Sequence, residues 1–109
     1  MPNAYGDTGP IRSEFAGDPD MLELVESFVS ELPDRAAKLA SSLDEGDLDA
    51  LTRLAHQLSG ACGGYGFAPI GDVARRLEQR LTATDARVEL AHIRDQVDEL
   101  VALCGRVVV

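Results

Sequence analysis

Tryptophan is absent from this chain of 109 residues, and its aromatic complement is two tyrosines and three phenylalanines. A core must therefore be built mainly from leucine, alanine and valine, which favours helices. Basic residues are also scarce: 10 Lys and Arg stand against 19 Asp and Glu, a formal net charge of −9. That balance argues against nucleic acid, whose phosphates are bound by clustered Lys and Arg, and against anionic membranes. It favours a soluble monomer. No apolar run approaches the roughly 20 residues of a membrane span. Residues 1–10 have neither a basic start nor an apolar stretch, so they do not read as a secretory signal. The expected location is the cytoplasm.

Only two cysteines occur, Cys62 and Cys104, and neither has metal-ligand spacing. In a reducing compartment they read as free, packed thiols. His56 and His92 show no HxxxH or HExxH pattern, so no metal site is expected. Gly60, Gly63, Gly64 and Gly66 lack a preceding strand and a following Lys-Ser/Thr, so they form no phosphate loop. No internal repeat is visible. Period-two alternation is missing outside the tail 107–109, which is too short to build a sheet.

Helical periodicity fills the rest. Asp18-Pro19-Asp20 combines a capping Asp with Pro at the first helical position. Met21, Leu22, Leu24, Val25, Phe28 and Val29 follow at helical spacing. Pro33 then either kinks this helix or starts another. Ala36, Ala37, Leu39, Ala40 and Leu43 carry the pattern to Gly46. A further helix starts at Asp47, whose side chain can cap it, and runs to the glycines at 63–66. Another opens after Ala68-Pro69, with Ile70, Val73, Ala74, Leu77 and Leu81 on its apolar strip. Thr84-Asp85 marks the last start, and Gly105 its stop. Short loops between amphipathic helices imply antiparallel neighbours. The expected fold is all-α: an up-and-down four-helix bundle over residues 18–105, with an extra short or kinked N-terminal helix. A flexible leader, 1–17, and a tail, 106–109, flank it.

One helix stands out. At roughly 100° per residue, Asp49, Thr52, Arg53, Ser59, Gly60 and Gly63 fall within about 60° of His56. Leu51, Leu54, Leu58, Ala61 and Tyr65 fall on the far side. The helix therefore buries leucines and shows a histidine flanked by glycines. Glycine inside a helix costs about 1 kcal/mol relative to alanine, so two beside one imidazole suggest a close approach by something else. Imidazole titrates near neutrality, and its neutral nitrogen can attack phosphorus. The wheel alone still favours an ordinary solvated histidine. A hydrolase using His56 lacks an oriented acid partner and oxyanion donors. His92 shares a face with Glu89, Gln96 and Glu99 and reads as solvated. Arg75, Arg76 and Arg80 read as members of surface pairs.

The longer pattern weighs differently. Ala55-His56-Gln57-Leu58-Ser59-Gly60, then Gly66, then Leu77-Glu78, resembles the signature of histidine-containing phosphotransfer (HPt) domains of two-component phosphorelays. Asp47-Leu48-Asp49-Ala50-Leu51 is similar to the family's lead-in. The resemblance implies a four-helix bundle whose exposed His56 accepts a phosphoryl group. The partner it implies is a response-regulator receiver domain, or a hybrid histidine kinase that contains one. Any Mg²⁺ would belong to that receiver, and this chain would need no cofactor. Gly60 would give the partner clearance, Gly63 would sit where only small side chains fit, and Gly66 would close the histidine helix. Thr52 would extend the docking surface, and Arg53, Gln57 and Ser59 would neighbour the phosphoryl group; Tyr65 and Phe67 read as sealing the bundle end, with a place for Phe67 on the docking surface as the other reading. Three residues after the histidine the family usually carries Lys, sometimes Arg; Ser59 brings a hydroxyl without charge. Arg53 or the partner would then supply the cation. The alternative is an adaptor that docks a receiver or kinase and carries no phosphate.

Overall fold

Asp18 ends an irregular segment and begins the first helix. Its carboxylate accepts a hydrogen bond from the Asp20 backbone N–H at 2.9 Å, and Pro19 opens the first turn. The computed structural model describes residues 9–83 and 90–108. Four helices follow in order: α1 (Pro19–Asp44), α2 (Leu48–Gly64), α3 (Ala68–Thr82) and α4 (Leu90–Cys104). Each packs on two neighbours, α1 on α2 and α4, and α3 on α2 and α4. The result is a four-helix bundle, as the periodicity implies.

The core is the sum of one strip from each helix. Val25, Phe28, Leu32 and Leu39 face Leu51, Ala55 and Leu58, then Ile70, Ala74 and Leu77, then Ile93, Val97 and Leu100, all buried. The spacings are three, four and, from Leu32 to Leu39, seven residues, the repeats that line one face of a helix.

Among the described residues no separate helix precedes the bundle or splits off at Pro33. α1 runs 26 residues unbroken through Pro33. Proline removes one backbone donor, here the partner of the Val29 carbonyl. Pro33 is exposed, so water can meet that carbonyl and the core strip continues undisturbed.

The two turns that flank α2 share one device. Gly46 and Gly66 both have positive φ, 72° and 87°. The next residue in each case bonds back five positions, Asp47 N–H to the Ser42 carbonyl at 2.9 Å and Phe67 N–H to the Cys62 carbonyl at 2.7 Å. This left-handed closure meets helix-end carbonyls that would otherwise be orphaned. Asp47 then caps α2 by accepting from the Ala50 N–H at 3.1 Å.

The described part of the expected flexible leader is instead fastened to the bundle. Ile11 is 1% exposed, donates to the Arg106 carbonyl at 2.9 Å, and accepts from the Val108 N–H at 2.9 Å. Ile11 and Val107 form a single parallel bridge. Ser13 is buried, and its hydroxyl donates to the Tyr65 carbonyl at 2.6 Å. Burying one isoleucine contributes about 1.5–3 kcal/mol, and satisfied backbone groups let this irregular strand lie against the core. Residues 1–8 and the expected start at Thr84-Asp85 lie outside the described residues.

Gly66 is where this clasp meets the α2–α3 turn. A Cβ there would collide with Ser13 Oγ and lie 2.9 Å from the Glu14 backbone nitrogen. Gly66→Ala thus combines a left-handed non-glycine residue with a clash against backbone. The expected cost is about 2–4 kcal/mol, read as a lowered thermal midpoint. An unchanged midpoint would show that residues 13–15 move aside freely.

Cys62 and Cys104 are free and buried, as expected. Burial pushes Cys62 from 9.0 up to about 12, with a smaller contribution from Cys104 and a small opposing one from Arg35. Burial likewise pushes Cys104 from 9.0 up to about 11. A thiol harder to ionise when folded favours the folded state below its unfolded value and loses that contribution as pH rises toward the folded one. Thermal midpoints should be flat to about pH 9 and fall between about 9 and 12. The Cys62→Ala, Cys104→Ala double variant should flatten that fall. An equal alkaline fall in the double variant would exclude the thiols as its cause.

Candidate functional site

α2 presents His56 at its wet midpoint. Leu51, Ala55, Leu58 and Cys62 turn inward from the same helix, so the 3.6-residue period leaves the histidine outward. Its side chain is 73% exposed. The backbone around it is bare: a Cβ added at Gly60 or Gly63 would meet nothing within 4 Å. Both positions therefore open toward solvent rather than toward a packed neighbour.

The ring is nevertheless held. His56 Nδ1 lies 2.8 Å from Glu78 Oε2. A carboxylate oxygen only accepts, so the shared proton belongs on Nδ1, and the lone pair is left on Nε2. Glu78 is 24% exposed at the α2–α3 groove. A pair this open contributes about 0–1 kcal/mol to stability; its consequence is the tautomer and the ring orientation. The sequence reading allowed His56 no acid partner, and Glu78 corrects it. The Leu77-Glu78 pair was part of the pattern already, but its role depends on how α3 folds back. The turn at Gly66 and Phe67 lies midway between residues 56 and 78, and antiparallel helices joined there bring the two level.

Gly71 is a second residue that periodicity alone did not single out. A Cβ at this position would sit 3.1 Å from the Ser59 carbonyl oxygen and 3.2 Å from Cys62 Cβ. Its bareness lets α3 press closely on α2 beside the histidine.

The other expected site residues divide. Arg53 and Gln57 are exposed on α2, and Ser59 is half-buried one turn beyond His56. Gln57 lines a shallow groove between α1 and α2 with Glu31, Asp34, Arg35, Lys38 and Leu54. Thr52 is half-buried, and its hydroxyl donates back to the Leu48 carbonyl at 2.7 Å. Phe67 does not belong to any docking surface. It is 1% exposed, with its ring 5.9 Å from that of Phe28, which also stacks on Tyr65 at 4.8 Å. The residue after a left-handed helix stop turns back onto its own helix, which carries Phe67 into the core. His92 is exposed on α4. Arg75 pairs with Asp72 at 2.7 Å and Arg80 donates to Gln96 at 3.0 Å, as surface residues do.

Among the described residues, no cluster of three or more His, Cys, Asp or Glu side chains is placed to hold a metal ion, and no helix is long and apolar enough to cross a membrane. The arrangement offers one oriented imidazole, a lone pair facing solvent, and bare backbone at Gly60 and Gly63 on its C-terminal side. That suits transient covalent capture of an electrophile carried by a larger partner. The family model of the Hpt domain matches residues 23–103. No curated protein and no solved structure matches the chain.

Proposed function

We propose that this chain, which belongs to the Hpt-domain family, carries a phosphoryl group on His56 Nε2 between receiver domains. The family is one of phosphorelay histidine phosphotransfer and of partnership with receivers and kinases. The observation that supports the finer reading is the Nδ1 contact with Glu78 at 2.8 Å. In the neutral ring that contact puts the proton on Nδ1 and leaves the lone pair on the exposed Nε2.

In the forward step the Nε2 lone pair attacks the phosphorus of a receiver's aspartyl phosphate. The N–P bond forms as the P–O bond breaks, and the aspartate leaves as a carboxylate. The Nδ1 proton stays on the ring, where Glu78 offsets the positive charge of the imidazolium. The return step to a second receiver reverses each of these. Mg²⁺ and most of the charge stabilisation belong to the receiver, so this chain requires no cofactor of its own. It does not phosphorylate itself. A cytoplasmic monomer with two reduced thiols suits the task.

The test is transfer from a phosphorylated receiver, followed by the chemical stability of the label. Phosphohistidine should be acid-labile and base-stable. Glu78→Gln removes the charge and can donate to Nδ1, which moves the ring proton to Nε2. Transfer should slow on the order of tenfold with the thermal midpoint little changed. Unchanged transfer in Glu78→Gln would remove the orienting role. A parent chain that binds the receiver yet takes no label would be an adaptor, the reading that the uncharged Ser59 favours.

A further inference from the structure

Loading His56 raises a problem of charge. A phosphoryl group brings about −1.5 to −2 near neutral pH. It would arrive beside the Glu78 carboxylate, in a chain of formal net charge −9. Ser59 offers a hydroxyl and no charge. On the α1 side of α2, Arg35 lies 5.6 Å over the Phe28 ring with its side chain only 30% exposed, so moving it would give up packing. The α3 side, where Glu78 already reaches His56, is different.

We propose that Arg75 is the cation that meets the phosphoryl group on His56, exchanging Asp72 for the phosphoryl oxygens when the group arrives. The proposal rests on the carrier reading and extends it to the facing helix. Two contacts fix the register of α3 on α2. Glu78 lies level with His56 at 2.8 Å, and a Cβ at Gly71 would lie 3.6 Å from the Gly63 nitrogen. The same antiparallel register sets Arg75 level with Ser59, between those contacts. Gly71, Arg75 and Glu78 fall on one strip of α3, within about 60° of each other. Gly71 also allows the close approach that brings this strip to the Ser59 carbonyl, 3.1 Å from where a Cβ would be. Ser59, level with Arg75 in that register, is a short, half-buried side chain.

Arg75 is also exchangeable. Its pair with Asp72 measures 2.7 Å, but the side chains are 59% and 60% exposed, and such pairs are weak. A guanidinium presents a planar fork that can donate to two phosphoryl oxygens at once, and charge-assisted bonds of that kind are stronger. Arg76 lies about 100° round the helix. Arg80 lies about 180° from Gly71 and reaches Gln96 on α4 at 3.0 Å, away from α2.

The experiment loads the full chain with phosphoramidate. The donor's P–N bond breaks, the bond from phosphorus to His56 Nε2 forms, and ammonia leaves with a proton. In ¹H–¹⁵N spectra the Arg75 Nε–H should shift on loading, and should not shift in His56→Gln. With a receiver domain present, Arg75→Ala should lower the equilibrium phospho-His56 fraction about two- to fivefold. The effect should shrink at high salt. Arg75→Lys should keep part of it, Ser59→Lys in the Arg75→Ala background should restore it, and Asp72→Asn should raise the fraction above the parent's. Thermal midpoints separate a folding defect from a lost contact. If the parent loads normally but Arg75→Ala leaves both fraction and salt dependence unchanged, or if Arg53→Ala alone carries the effect, the assignment to Arg75 is overturned while the carrier reading stands. If the parent takes no phosphoryl group at all, the carrier reading falls and this inference with it.

Discussion

His56→Gln should abolish phosphoryl labelling while the helical circular dichroism signal and the melting transition remain those of the parent. The imidazole is 73% exposed, and among the described residues its side-chain hydrogen bond is to Glu78. Its removal should change stability by no more than about 1 kcal/mol, the most that a pair this open contributes. The chemistry, by contrast, has no substitute: glutamine has no nitrogen lone pair able to attack phosphorus. His92→Gln is the matched control. His92 is also exposed but sits on α4, and labelling should be unchanged. Residual label on His56→Gln at more than about a hundredth of the parent's level would place the acceptor elsewhere, since loss of a nucleophile costs far more than that.

Gly60→Leu should give two effects of opposite sign. A Cβ added at this position would meet nothing within 4 Å, and Gly60 is exposed, so a side chain can start outward without displacing the core. Replacing a helical glycine should raise stability by up to about 1 kcal/mol. Position 60 is one turn beyond 56 on the same face, so the leucine would stand beside the imidazole. A receiver must bring its aspartate to within bonding distance of Nε2. Misplacement of about 1 Å can cost 10²-fold in rate. A more stable protein that transfers on the order of 10²-fold more slowly is therefore expected, measured by melting and by single-turnover transfer. Gly60→Ala should keep the stability gain with a smaller loss of rate. Normal transfer by the leucine variant would mean that nothing docks over this turn.

How much of this was readable from residues alone depends on the kind of contact. Helix faces were readable because burial repeats: Leu51, Leu58 and Cys62 turn inward wherever the 3.6-residue period places them. Helix starts were readable at Asp18 and Asp47 because capping is a local bond between near neighbours. His56, Gly60 and Gly63 were readable as one wet strip for the same reason. Contacts between elements were not. Glu78 stood in the pattern, but periodicity says which residues are wet, not which two wet residues meet across a turn. Phe67 suits either a sealed bundle end or a docking surface, and the left-handed backbone at Gly66 sends it inward, to the first. Ile11 and Ser13 belong to no periodic element, so nothing distinguished them from a solvated leader. Pro33 read as a break because proline removes a donor, yet its exposed position makes that loss tolerable to the helix.

The pairing of Ile11 with Val107 has a topological consequence. The polypeptide enters and leaves the bundle at one pole, through backbone bonds from Ile11 to Arg106 and from Val108 to Ile11, each 2.9 Å long. The same pole holds the Ser13 contact to Tyr65. His56 lies nine residues back along α2, roughly 13 Å at 1.5 Å per residue. A unit with adjacent entry and exit can be spliced into a surface loop of a larger protein without stretching either. Circular permutants joined across this pole, with new ends opened between α1 and α2, should refold and keep the imidazole face clear. The bundle is in this sense a cassette, whose tether and whose business end are separate parts of the molecule.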